Sequence, residues 1–343
     1  MSAVTTPTKL KPPTLPPQAA VAQTSDRPKR MSLDAVVRGK IAKPPRVLLY
    51  GFEGIGKSTF AASAPNPIFI GAEDGTSELD VARFPQPESW EDMLEAIHEL
   101  TTSPHDYKTV VIDTLDWLEP FCWERTCRGK KHEKSGKPIT HIEEFGFGKG
   151  YIAALDHWRV LTARLETLRG QRRMAVVLLA HAYIKTFKNP TGEDYDRFQM
   201  KVQDKAAGHL REWCDASLFA MYETHTYESN GRTKGISTGA RVVHTQRTAA
   251  WDAKNRYDLP EKLPLDWDAF AEAVAAHRPA EPATLRRRID VLLEQTSDDG
   301  LIERVQKAVS AAGDDAATLA KIENKLAAMM SVQEDNQTQE TAE

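Results

Sequence analysis

Only three cysteines occur in 343 residues, Cys122, Cys127 and Cys214, and no C-x-x-C pair exists. That scarcity excludes a disulfide framework and points to reduced thiols. Cys122, Cys127, His132 and His141 have the ligand types for a metal, but ordinary buried or surface positions are the simpler reading. No stretch approaches the roughly 18 apolar residues of a membrane span. The N-terminus lacks the hydrophobic run of a secretory signal, so a soluble, cytoplasmic protein with no membrane partner is expected. A large charge of either sign is also missing, since 45 Lys and Arg face 49 Asp and Glu.

The distribution of charge says more than its total. Residues 1–43 carry eight Lys or Arg against two Asp and are rich in Pro, Thr and Ala but poor in aromatics. Such a segment cannot bury enough apolar surface to order itself, which predicts a disordered basic arm. Residues 44–277 hold the apolar runs of a core. Residues 278–343 show apolar positions at helical spacing, with breaks near Asp299-Gly300 and Gly313, and end in an acidic polar stretch. A small helical tail is expected there, either packed on the core or docking another protein such as a single-strand-binding or other replication protein.

Residues 46–59 read RVLLYGFEGIGKST, an apolar run followed by the complete pattern G-x-x-x-x-G-K-[ST]. Gly51, Gly54 and Gly56 allow left-handed backbone and close approach to an anion, so amides from Gly54 through Ile55, Gly56, Lys57, Ser58 and Thr59 can surround a phosphate. Lys57 reaches the β- and γ-oxygens, and the Ser58 hydroxyl completes part of an octahedral Mg²⁺ shell. The expected cofactors are ATP and Mg²⁺.

Downstream, PIFIGA (67–72), TVVID (109–113) and MAVVLLA (174–180) are continuous apolar runs, alternating with helical patterns at 90–100 and 155–168. Strands covered on both faces predict an α/β fold with a mostly parallel sheet flanked by helices. Further strands are expected at 216–224 and 241–247, separated by the turn-forming Ser229-Asn230-Gly231. Asp113 closes TVVID, where an acid can hold the Mg²⁺ ion. Glu73, at the carboxyl end of the strand after the P-loop helix, suits the task of orienting the attacking water, with Asp74 its neighbouring competitor. His181 ends VVLLAH and is placed to report whether the γ-phosphate is present.

Two segments suit single-stranded DNA. CRGKKHEKSGKPITHIEEFGFGKGY clusters Arg128, Lys130, Lys131, Lys134 and Lys137 ahead of Phe145, Phe147, Lys149 and Tyr151, combining cations for phosphates with rings for bases. After His181, Lys185, Phe187, Lys188, Arg197 and Lys201 flank a turn at 189–192, although nearby acids nearly cancel them. If this loop grips DNA while His181 senses phosphate, nucleotide state and DNA grip become coupled.

The order YGFEGIGKST, FIGAEDGTSEL, VVIDTLDWL, VVLLAH resembles the RecA-like ATPase core, most closely phage AAA-type ATPases related to Sak-type single-strand annealing proteins, over residues 44–277. The resemblance implies a RecA-like P-loop fold, Glu73 as catalytic glutamate, Asp113 as the acid of the metal-binding strand, and His181 at the phosphate-sensing position. AAWDAKNRYDLP looks like a lysine-x-arginine element projected into a neighbouring subunit's nucleotide site, making Lys254 and Arg256 candidate fingers in trans. The short interval between Lys57 and Glu73 requires a compact first helix. The resulting expectation is an oligomeric, DNA-stimulated ATPase promoting annealing or strand pairing. A hexameric helicase or a non-catalytic ATP-binding scaffold are the alternatives.

Overall fold

The computed structural model describes residues 33, 36, 43–73, 75–133, 135–229, 232–277, 282–296 and 298–340. Lys134, Asp74 and the turn residues Asn230 and Gly231 lie outside the described residues, as does nearly all of the basic arm. The chain divides into two units, Met1–Gly39 and Lys40–Glu343. In the first, the Val36 amide donates to the Leu33 carbonyl.

The second unit is built on a ten-stranded sheet. Its elements run β1 (Arg46–Gly51), α1 (Lys57–Ala62), β2 (Pro67–Gly71), β3 (Ala82–Arg83), α2 (Trp90–Thr102), β4 (Thr109–Asp113), α3 (Leu115–Cys127), α4 (Lys149–Arg172), β5 (Ala175–Phe187), β6 (Tyr195–Met200), α5 (Asp204–Trp213), β7 (Ala216–Ser229), β8 (Arg232–His244), β9 (Lys254–Asn255), β10 (Lys262–Pro264) and α6 (Trp267–His277). The strand order is β10-β8-β7-β1-β5-β4-β2-β3, with β6 paired to β5 and β9 to β7. The central block β7-β1-β5-β4-β2-β3 is parallel, whereas β8, β10, β6 and β9 pair antiparallel.

The continuous apolar runs of the sequence resolve into two alternating sets, because successive strand residues face opposite sides. Leu48, Tyr50, Ile70, Val110, Ile112, Val176 and Leu178 pack under α2, α3, α4 and α5. Val47, Leu49, Phe69, Val111, Val177 and Leu179 meet Phe60 of α1 and Trp267, Phe270 and Val274 of α6. On α4, Ala154, Trp158, Leu161, Leu165 and Leu168 recur at three- and four-residue intervals, and all are buried. The expected mostly parallel, helix-flanked sheet is thus the observed one. Helix α1 is six residues long, as the short spacing before Glu73 demanded.

The strands are longer than their sequence signals. β7 and β8 continue as an antiparallel arm past the apolar segments expected at 216–224 and 241–247. β5 leaves the central sheet after His181, and its second half pairs with β6 as a hairpin. Three further helices follow, α7 (Pro282–Glu294), α8 (Asp299–Ala312) and α9 (Ala316–Glu340), and Leu285, Ile289, Leu301, Leu319 and Leu326 close an apolar cluster of their own. Their breaks fall near the expected Asp299-Gly300 and Gly313.

Candidate nucleotide site and the cleft beside it

The loop from β1 to α1 has left-handed backbone at Gly54 (φ 71°) and Gly56 (φ 106°), conformations that disfavour any side chain. Gly51 serves a different purpose from the one its place in the motif suggests. It lies in extended β1, where a β-carbon would fall 2.6 Å from the Ala220 carbonyl oxygen of β7, so glycine here permits strand packing. Ile55 is buried in the core beneath the loop and Thr59 is exposed, so each offers a phosphate its backbone. No side chain caps the first turn of α1.

Lys57 is buried, and its ammonium donates to the carbonyls of Gly51 (3.2 Å) and Phe52 (3.1 Å). Burial lowers its pKa, opposed by Asp113, Asp116 and Glu73. The Ser58 hydroxyl donates to Asp113 Oδ2 at 2.6 Å, joining the P-loop to the tip of β4. The other carboxylate oxygen of Asp113 is buried without a hydrogen-bond partner, and burial raises this group's pKa despite Ser58 and Lys57. A hydroxyl beside an orphaned carboxylate oxygen is the donor set of a Mg²⁺ ion that keeps several waters, so the residues fit that ion. Among the described residues no cluster of three or more His, Cys, Asp or Glu could hold a metal, and all three cysteines are buried free thiols.

Glu73 lies two residues beyond the end of β2, where the Ala72 amide is tied to the Asp113 carbonyl (2.8 Å). It is half-buried, and desolvation raises its pKa while His181 and Lys57 pull against that shift. His181 is paired in register with Gly51 at the end of the central stretch of β5. Its backbone amide and Nδ1 both meet the carboxylate of Asp116, each at 2.9 Å. Burial raises the pKa of Asp116, but the bonds from His181 outweigh it and hold the carboxyl below its ordinary range. Asp116 escaped the reading of the sequence. Its signal was present in DTLDWL, three residues after Asp113 in the first turn of α3, where an acid also suits the helix dipole.

One turn further along α3, the buried carboxylate of Glu119 accepts the Gln203 amide (3.0 Å), and desolvation pushes its pKa up to about 7. Asp116 and Glu119 line a cleft of about 520 Å³ together with Trp123, Tyr151, Tyr183 and Lys201. Tyr151 follows the first basic segment and Tyr183 opens the β5–β6 hairpin, so one ring from each proposed DNA segment lines this cleft, while the cations of the first segment are not among its lining residues. Trp123 and Tyr183 were not singled out in the sequence, because the proximity of α3 to the hairpin is a tertiary fact.

The cations of those segments divide. Lys130, Lys131 and Lys137 are exposed on a small turn closed by the Lys131–Pro138 bridge, and no ion pair engages them among the described residues. Phe147 is fully exposed with φ 49°, and Lys149 is exposed at the start of α4. Arg128 pairs with Glu91 (2.9 Å), Lys185 with Asp204 (2.8 Å) and Lys188 with Asp194. Arg197 departs most from expectation. It is 3% exposed, bound to Asp252 (2.8 Å) and laid over the Phe187 ring, which makes it a packing cation.

Lys254 and Arg256 likewise depart from the finger reading. The Lys254 ammonium donates to the carbonyls of Arg211, Glu212 and Cys214 at the end of α5. Arg256 pairs with Asp215 (3.3 Å). Both sit by the N-terminal end of β7, through the β9 pairing of Ser217 with Lys254, and both are held by their own chain.

The family model described as an AAA domain matches residues 43–257, well over half of the chain. A solved structure, that of the RadB recombinase, is 15% identical, covers 62% of this chain and 85% of its own, and superposes with a TM-score of 0.34. No curated protein matches.

Proposed function

Because this chain belongs to the AAA domain family, we propose that it is a RecA-like, ATP-hydrolysing protein that binds single-stranded DNA and promotes annealing or strand pairing, as an oligomer. One observation carries this reading. His181 and Asp116 form a hydrogen-bonded link whose one end lies beside Lys57, Asp113 and Glu73 and whose other end lines a cleft of aromatic rings and charges of both signs.

The P-loop amides and Lys57 bind and orient the triphosphate of the substrate. A Mg²⁺ ion held by Ser58 and, through water, by Asp113 would neutralise phosphate charge. Glu73 accepts a proton from the attacking water at a carboxylate oxygen. As the water oxygen bonds to the γ-phosphorus, the bond from that phosphorus to the bridging oxygen breaks, giving ADP and phosphate. The raised pKa of Glu73 brings it closer to neutrality, which suits a base. His181, oriented by Asp116, passes the presence or loss of the γ-phosphate to the strand that becomes the hairpin. Trp123, Tyr151 and Tyr183 offer faces for bases, and Lys201, Lys130, Lys131 and Lys137 offer charge for the backbone. Lys254 and Arg256 play no part in this scheme, since their hydrogen bonds would first have to be given up.

The test is ATP turnover with and without single-stranded DNA for the native protein and Lys57→Ala. Stimulation by DNA that vanishes in the variant supports the proposal. Turnover indifferent to DNA removes the recombination reading, and tight ATP binding without turnover leaves a scaffold.

A further inference from the structure

Arg241, on β8, was singled out by no motif, yet its side chain lies against the P-loop. A β-carbon placed on Gly56 would fall 2.7 Å from Nη1 of Arg241 and 3.8 Å from its Cδ. The guanidinium therefore occupies the space that this glycine leaves open, next to the amides that lead into Lys57. Arg241 is exposed, and among the described residues no carboxylate or hydrogen-bond acceptor engages its side chain. An arginine with five donors and no side-chain partner among the described residues, held over a loop shaped for an anion, is half of a charge-assisted pair.

Its placement is built into the sheet. Tyr222 and Arg241 are cross-strand neighbours, and the β7–β8 register shifts between Tyr222 and Thr224, beside Gly239 at φ 77°. Such irregularities re-aim side chains at the ends of sheets. Tyr222 points its hydroxyl at the Gly54 carbonyl (3.5 Å), and the Arg241 carbonyl accepts the Leu265 amide (3.0 Å), so the arm is tied to the loop on one side and to β10 on the other.

We propose that Arg241 is a phosphate-binding residue of the nucleotide site, delivered in cis from the β7–β8 arm onto the polyphosphate beside Gly56. The inference rests on the P-loop binding a nucleoside triphosphate. Because Gly56 lies where the loop cradles the phosphates nearest the sugar, the contact is made to ADP as well as to ATP, and it acts on binding more than on the chemical step.

Equilibrium titration of the full chain with fluorescent ADP and ATP analogues tests this. Arg241→Ala should weaken both roughly tenfold or more, the scale of a lost charged hydrogen bond, with Arg241→Lys intermediate, KM raised and kcat nearly kept. Thermal melts of both variants check that the fold is retained. Unchanged affinity in a folded Arg241→Ala protein overturns the inference. So does a gain in turnover, at ATP below the raised KM, on mixing Arg241→Ala with Lys57→Ala chains, since only an arginine acting in trans lets the two chains rebuild a complete site. Absence of nucleotide binding by the native protein would instead sink the parent reading.

Discussion

Glu73 and Asp116 divide the acids around the P-loop into two roles by environment alone. Burial lifts Glu73, whereas the two hydrogen bonds from His181 hold Asp116 down. Glu73→Gln should reduce turnover by roughly 10²- to 10⁴-fold while leaving ATP binding intact, measured as kcat beside equilibrium affinity. The acid limb of the native pH–rate profile should lie above the ordinary glutamate value of 4.5, because the raised carboxyl must lose its proton to act as a base. Asp116→Asn removes the charge that orients His181, so DNA stimulation should drop by about fivefold or more with nucleotide affinity retained. Turnover at increasing DNA concentration reads that loss.

At the scale of elements, β5 is the member that joins site to cleft. Its first half is a buried central strand and its second half a hairpin arm whose residues after Ala182 alternate between half-buried and exposed, with His181 at the change. The arm is not loosely attached. Phe198 of β6 stacks on Phe219 and meets Phe52 of the P-loop edge-on at 5.5 Å, so the hairpin and the phosphate loop share a contact. At the opposite end of the sheet, Asp215 gathers Arg46 (2.6 Å), Arg169 (3.2 Å) and Arg256 (3.3 Å), fixing the starts of β1 and β7. Removing that carboxylate leaves Arg46 and Arg169 only the more exposed Glu166, which pairs with both, as an ion-pair partner among the described residues. Asp215→Ala should cost about 1.5–3 kcal/mol, the scale of a lost charged hydrogen bond, in urea unfolding. Burial raises the pKa of Asp215, but the bonds from Arg46 outweigh it and bring it below the unfolded value of 3.8. Its stabilisation is therefore full above that value and is lost as the pH falls through the lower folded pKa.

For the molecule as a whole, the two clusters that sandwich the sheet contain, among the described residues, none beyond Val274, and the cluster of α7, α8 and α9 begins at Leu285. A chain ending at residue 277 should therefore keep its nucleotide affinity, and a titration against the full chain checks this. Glu119 adds a global pH dependence of opposite sign to that of Asp215. Its folded pKa of about 7 exceeds the ordinary 4.5, so its contribution is complete below the unfolded value and is lost as pH rises through about 7. Melting temperatures taken from pH 5 to 9, a span set by that shift, should fall as the pH rises to about 7 and level off above it, and Glu119→Gln should flatten the decline. Among the described residues no helix is long and apolar enough to cross a membrane.

The amino-acid order alone determined the phosphate loop, the alternation of strand and helix, and the acid at the tip of β4, because each depends on neighbours in the chain: glycines with positive φ, apolar runs of strand length, a lysine and hydroxyl at fixed offset. It did not reveal the partners of Asp116, Arg197, Lys254 or Arg241. Charge along a segment says nothing of which carboxylate folds against it, and so Arg197 and Lys254, cations within suggestive motifs, turned out to be held by Asp252 and by helix carbonyls. Arg241, in no motif, came to rest over Gly56. Only the packing of β7 against β1 and of α3 against the hairpin decided these, since electrostatic and hydrogen-bonding forces act over a few ångströms in space regardless of distance in sequence.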